Sequence, residues 1–343
     1  MLHRSTLFPL AFVAFLRPVT RVLRDPGPAT TFGITLLAGT HETTPPRPHL
    51  VRFGDLRAVQ QLSDGRMLVL DKPTNTIDVY STKMRFLFSL PKRADGRRII
   101  PPKAFAISES NVVATLELTG QAISLYRITP TAAEIIRSIE LPGAPTSICS
   151  IGHNFFVHLN ESDRSIHEIS ERGQLSVGFK AGLPANVPPL GKFYYNADLS
   201  CVPDADEIIL YSAGFPQLDA YSTSGRHLWR GRLKLFRPLP LIQRPDGGLQ
   251  TPLEGAISDH IVSSVLVSSS VIAIQIRTLK KIGSAENPAN PPQTRFVDVY
   301  SGREIGGSAT LPLIAHATEK RLFTFDAVKG SIIAHEFATT HTR

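Results

Sequence analysis

The sequence predicts an all-β fold, a six-bladed β-propeller of four-stranded antiparallel blades, and three observations carry that expectation. The first is the stretch from Leu62 to Tyr80, LSDGRMLVLDKPTNTIDVY, which reads as two adjacent strands. Asp64-Gly65 makes the tight turn into Arg66 to Asp71, and Lys72 to Asn75 break that strand before Thr76 to Tyr80 forms the next. The second observation is that the end of this strand recurs, as IDVY at Tyr80, ISLY at Tyr126, IHEI at Ile169, LDAY at Tyr221, VDVY at Tyr300 and IAHEF at Phe337. Separations of 46, 43, 52, 79 and 37 residues are irregular but centre on the length of one blade, with a long insertion before Tyr300. The third is a Leu-Pro pair after the fourth strand, at Leu90, Leu141, Leu183, Leu239 and Leu311, where proline ends pairing at a blade edge.

Composition agrees. With 27 prolines, 24 glycines and a mean hydropathy near zero, the chain suits many short strands joined by turns, and an apolar content of 42% supplies a sizeable core.

Taken in order, residues 1–29 read as a leader, residues 30–338 as the propeller and residues 339–343 as a tail. The first 24 residues carry Arg4, Arg17, Arg21 and Arg24 without an acid, and Leu7 to Leu16 is an apolar run of ten. That run is too short to span a bilayer as a helix, so no transmembrane span is expected. It has the length of a signal-peptide core, yet Arg17 follows it directly and no small-x-small cleavage site precedes Pro26. Export to a periplasmic or extracellular space and a cytoplasmic location both remain open, and a monomer is expected.

In the first unit the strands fall at Leu56 to Leu62, Arg66 to Asp71, Thr76 to Tyr80 and Phe86 to Leu90, with comparable sets at 103–141, 145–183, 196–233 and 257–311. The last unit has three strands, Leu313 to Ala317, Arg321 to Phe325 and Ser331 to Phe337. An N-terminal strand, Thr31 to Leu37, has nothing else to pair with, so it is expected to close this last blade and remove an exposed edge.

The run from Ser63 to Tyr80, with its Asp-Gly turn, strand-ending Asp71 and loop Asn75, resembles the repeat of NHL-type six-bladed β-propellers. Later units match loosely: Ala220 to Arg226 keeps the third-to-fourth-strand turn, while Ala106 to Tyr126 lacks both Asp-Gly and the strand-ending Asp. The resemblance implies blade geometry. Propellers of this kind serve as binding scaffolds, lyases and metal-dependent lactonases alike, so the site must decide the chemistry.

Loops alternate faces in a propeller, and here the long ones, 92–103, 181–197, 234–258 and 277–295, all fall on the face that carries the blade-to-blade connections, the top. Those loops hold 13 Lys and Arg against 4 Asp and Glu, so the surplus of +8 for the whole chain is concentrated there and in the leader. A basic face draws anionic ligands or acidic partners. The leading expectation is a non-catalytic recognition scaffold for an acidic protein or an anionic small molecule, held by Arg97, Arg98, Lys103, Lys192, Arg237 and Arg277. Nucleic acid is disfavoured, because Tyr194-Tyr195 is the one aromatic pair among the basic loops.

The competing expectation is a metal-assisted lyase or hydrolase, lactonase-like, at the mouth of the channel. Asp55, Asn196, Asp198 and Asp259 supply the hard oxygen ligands a divalent cation wants, and Asp198 and His260 are the acid-base candidates. For each, the plainer reading is a turn or strand-end residue. Cys149 and Cys201 read as buried free thiols on inner strands; a single bridge between adjacent blades would require both side chains to converge.

Overall fold

The computed structural model describes residues 31–44, 56–83, 85–95, 98–160, 164–181, 197–240, 242–245, 249–250, 257–279 and 292–342. Of their eight small antiparallel sheets, six are arranged as the blades of a six-bladed β-propeller and two are two-stranded ribbons in the connections. Blade 1 comprises Leu56–Gln61, Met67–Asp71, Thr76–Tyr80 and Phe86–Ser89, within a residue of the strands expected from its turns. Gly65 takes φ +86° in the first of those turns, a conformation that favours glycine, and the Asp64 carboxylate caps it by accepting from the Arg66 amide at 3.0 Å.

Blade 2 comprises Pro102–Ile107, Val112–Glu117, Ala122–Ile128 and Ala133–Glu140. Blade 3 has Ala144–Ile151, Asn154–Asn160 and Ile166–Ser170, and departs from the expected pattern. Its fourth position is an irregular segment tied on by isolated bridges, Phe179 to Ile166 and Leu175 to Ile169. Blade 4 comprises Ala197–Val202, Glu207–Ser212, Gln217–Ser222 and His227–Arg232; blade 5 comprises Ser258–Ser268, Val271–Leu279, Gln293–Asp298 and Glu304–Ser308. Tyr300, expected to end the third strand of blade 5, lies in the turn beyond it and is half exposed.

Blade 6 closes the ring as expected. Leu313–Ala317, Arg321–Asp326 and Ser331–Thr342 are completed on the outside by Thr31–Thr44, which pairs antiparallel with the last strand from Thr31 against Thr342 to Thr44 against Ile332. Both strands run longer than their sequences suggested, and residues 339–342 of the expected tail are inside the pairing.

The recurring aromatic marker has a structural counterpart. Pairing between third and fourth strands slips by one residue at the marker in three blades, Val79/Tyr80, Leu125/Tyr126 and Ala220/Tyr221, and ahead of Tyr300 in blade 5, at Phe296/Val297; such a bulge increases the local twist. Strand twist lets the faces of neighbouring blades pack, and the core is therefore six wedges, one per seam. Leu68, Ile77, Phe105 and Tyr126 fill the seam between blades 1 and 2; Phe155, Leu125 and Ile169 that between 2 and 3; Phe156, Ile208 and Tyr221 that between 3 and 4. Trp229, Ile272 and Val299 fill the next, Phe32, Phe296 and Leu322 the fifth, and Tyr80, Met67, Phe323 and Ile332 the seam where blade 6 meets blade 1.

Candidate functional site

The first strands of the six blades surround the central channel, and their polar side chains staple neighbouring blades together. Gln60 of blade 1 accepts from the Ile107 amide at 3.1 Å and donates to the Phe105 carbonyl at 3.1 Å in blade 2. Ser150 of blade 3 donates to the Ile107 carbonyl at 2.6 Å, while Ser147 and Thr146 of the same strand meet blade 4 at the Leu199 amide (3.0 Å) and the Ala197 carbonyl (2.9 Å). Ser200 and Ser264 join blades 4 and 5 at 2.8 Å, and Ser263 donates to the Ile314 carbonyl of blade 6 at 2.6 Å. These inner-strand polar groups are thus satisfied across seams.

At the top end of this ring a distinct cluster forms. Lys103 is the second residue of the inner strand of blade 2, Thr146 the third of blade 3 and Asp198 the second of blade 4, so equivalent strand positions converge on the channel mouth. The Lys103 ammonium donates to the Pro145 carbonyl, reaching over blade 3 toward Asp198. Enclosure pushes the Asp198 carboxyl up to about 6, although the positive charge of Lys103 opposes the shift. Tyr211 stands directly across the strand pair from Asp198. Burial and the Asp198 charge hold its phenol well above the usual range, while hydroxyls of Ser264 and Ser200 hydrogen-bond to it. Beneath, His158 shares a 2.6 Å hydrogen bond through Nδ1 with Thr146 Oγ1, and burial lowers its pKa to about 4, so the ring is neutral near pH 7. Among the described residues the mouth therefore brings together the Lys103 ammonium, the Asp198 carboxyl with its pKa raised to about 6, and several hydroxyls.

Of the residues singled out from sequence, Arg97, Lys192, Asp55 and Asn196 lie outside the described residues. Arg98 opens the short strand Arg98–Ile100 in the basic loop between blades 1 and 2. Arg237 and Asp259, assigned to separate roles, are found together: Arg237 Nη2 donates to Asp259 Oδ1 at 2.8 Å, the Arg237 amide donates to Oδ2 at 2.8 Å, and Thr278 Oγ1 donates to Oδ1 at 2.7 Å. These donors hold the Asp259 carboxyl below the usual carboxylate range against the opposing effect of burial. His260 Nε2 lies 3.1 Å from Ser258 Oγ, and Arg277 is its register partner on the next strand. His316, in the channel wall of blade 6, has its pKa lowered to about 4 by burial, with its ring 5.8 Å from Phe323. Among the described residues no group of three or more His, Cys, Asp or Glu is arranged to hold a metal ion.

Two features escaped the sequence reading. Tyr211 carried no motif; the signal available was its position opposite Asp198 once the blade 4 strands are paired. Cys149 and Cys201, read as free thiols, form a disulfide across 52 residues that joins the inner strands of blades 3 and 4. The reason is positional: each cysteine stands three residues beyond the mouth residue of its strand, Thr146 or Asp198, so the closed ring brings them to the same depth at one seam.

A serine, a glutamate and a histidine also meet at the bottom turns of blades 2 and 3. Glu171 Oε1 accepts from Ser110 Oγ and lies 3.3 Å from His153 Nδ1. One carboxylate oxygen thus takes both partners, whereas a nucleophilic triad places the imidazole between serine and acid.

No protein-family model and no curated protein matches the chain. Among the described residues no helix is long and apolar enough to cross a membrane. Solved structures are similar in fold at low identity. A member of the DUF4221 family from Bacteroides vulgatus aligns with a TM-score of 0.58 at 10% identity, over 90% of this chain and 99% of that one. A protein of unknown function from Bacteroides thetaiotaomicron gives 0.52 at 8% identity, over 90% and 76%, and the WD40 repeats of RRP9 give 0.50 at 11% identity, over 89% and 100%. At these identities the likeness is one of fold, and at that level the expected six-bladed propeller is met.

Proposed function

We propose that this propeller is a non-catalytic recognition scaffold that holds an anionic small molecule at the mouth of its channel. The observation that carries the reading is the convergence of Lys103, Asp198 and Tyr211 at equivalent depths of the ring, on the face whose loops concentrate the positive charge of the chain. A bound anion takes a hydrogen bond from the Lys103 ammonium, and the nearby Asp198 carboxyl lowers repulsion by taking up a proton. A disulfide between inner strands suits an oxidising compartment, and so favours export.

The test is thermal unfolding of the whole chain against a panel of small carboxylates and phosphates at constant ionic strength, followed by titration calorimetry with the best. Binding weakened about tenfold by Lys103→Met is expected, since one charge-assisted hydrogen bond is lost. Stabilisation by no member of the panel, or equal affinity in Lys103→Met, overturns the reading.

A lyase or hydrolase at the same mouth draws on one specific observation. A carboxyl with a pKa of about 6 beside a tyrosine is suited to proton transfer near neutral pH. In that reading a divalent ion would need oxygen donors besides Asp259, whose carboxylate is engaged by Arg237 and Thr278.

A further inference from the structure

Away from the channel, the outer part of blade 4 and the irregular edge of blade 3 enclose a second concavity. It is a cleft of about 440 Å³ lined by Lys180, Tyr221, Gly225, His227 and Arg230. Small-molecule sites span roughly 300–1,000 Å³, so the cleft has the size for a ligand. Its construction is specific. Asp219, buried beneath the cleft, accepts from Arg230 Nε at 2.7 Å and from His227 Nε2 at 3.0 Å through the same oxygen, Oδ1, and from the Gln217 amide through Oδ2.

One carboxylate therefore orients two side chains of the outer strand of blade 4. Because Arg230 is held through Nε, its terminal nitrogens Nη1 and Nη2 have no partner among the described residues, and its side chain is 44% exposed. His227 packs edge-on against Tyr221, with centroids 5.2 Å apart, which fixes the imidazole at the cleft wall. Gly225 has φ +86° and lies so close to Phe179 that a Cβ there would stand 2.6 Å from its ring. That contact brings the blade 3 edge against blade 4 and sets Lys180, the next residue, at the rim. The Lys180 ammonium has no ion pair or hydrogen bond among the described residues. Asp219 offsets one of the two permanent positive charges, which leaves a positive surplus on the walls of this open cleft.

We propose that this cleft binds a phosphorylated small molecule, with the phosphate held by Arg230 and Lys180 beside His227. A planar guanidinium and a mobile ammonium converging from two blades match a tetrahedral dianion, and the remaining volume accommodates the organic part. The site is independent of the channel mouth and does not rest on that reading.

The experiment is calorimetric titration of the whole chain with glycerol 3-phosphate, inorganic phosphate and, as the neutral control, glycerol, at fixed ionic strength. Both phosphates bind and glycerol does not. Arg230→Ala removes a partner from buried Asp219 and so probes folding as much as binding. Lys180→Glu is the decisive variant, because Lys180 makes no contact that folding needs; it weakens glycerol 3-phosphate about tenfold or more. Lys103→Met, at the channel mouth, reports any phosphate held there rather than in the cleft. Absence of phosphate binding overturns the proposal, as does binding unaffected by Lys180→Glu. Binding lost in Lys103→Met but kept in Lys180→Glu also overturns it, while supporting an anion site at the channel mouth.

Discussion

The seam between blades 6 and 1 and the seam between blades 3 and 4 both hold an apolar wedge, but differ in what supplements it. Where the ring closes, blade 6 takes its outer strand from the N-terminal part of the chain, and the wedge against blade 1 is apolar: Val59, Met67, Val69, Tyr80, Phe323, Phe325, Ile332 and Ala334. Between blades 3 and 4 a smaller set of apolar residues is supplemented by the Cys149–Cys201 disulfide and by the hydrogen bonds from Thr146 and Ser147. Blade 3 also has the irregular outer edge. The closing seam must hold the two ends of the described chain against fraying, and burial of large side chains does that most strongly. The polar seam carries both proposed ligand sites, Asp198 at the channel mouth and the Lys180 cleft at the rim, and a covalent tie supplements its apolar wedge.

The difference can be broken from either side. Phe323→Ala, at the closing seam, empties a fully buried aromatic position and is expected to cost about 3–5 kcal/mol, measured by denaturant unfolding. Reduction, or the pair Cys149→Ser with Cys201→Ser, acts on the polar seam: a loop of 52 residues gives about 4 kcal/mol in the chain-entropy account of disulfides, seen as a lower melting temperature. Hydrogen exchange sharpens the contrast, because reduction should speed exchange first at the inner strands of blades 3 and 4 and leave the blade 6 pairing protected. Thr146→Val strands the Ala197 carbonyl and the His158 ring together, and a loss of about 1–3 kcal/mol is expected in the same unfolding assay.

The smallest effect is a gain. Because the folded-state pKa of Asp198 is raised, the native protein binds that proton more tightly than the unfolded chain does. Its contribution is therefore most favourable below the ordinary carboxylate range and is lost as pH rises through about 6. Asp198→Asn should remove that slope and stabilise the protein by about 1 kcal/mol above pH 6, read from melting curves between pH 5 and 8.

How much of this could be read from the sequence follows from the range of the interactions involved. The blades and the closing strand repeat a local pattern of turn, alternating strand and proline stop, so Asp64-Gly65, the Leu-Pro pairs and the unpaired Thr31 segment were enough to place them. The irregular edge of blade 3 was not, since Leu175 and Phe179 look like strand residues, and only tertiary contacts decide how far they pair. Site residues depend on ring closure. Arg237 and Asp259 are 22 residues apart and were assigned to opposite purposes, a partner surface and a metal, until folding put the guanidinium on the carboxylate. The nearness of Lys103 to Asp198 follows from two strands flanking a third, which no spacing rule encodes.

The most direct measurement is the affinity of the tightest small anion found for the channel mouth, followed from pH 5 to 8 in the unmodified protein and in Asp198→Asn. If the anion sits between Lys103 and Asp198, its affinity falls as pH rises through about 6, because ionised Asp198 repels it, and the fall is absent in Asp198→Asn. Identical pH profiles in the two proteins would contradict an anion site at the mouth of the channel.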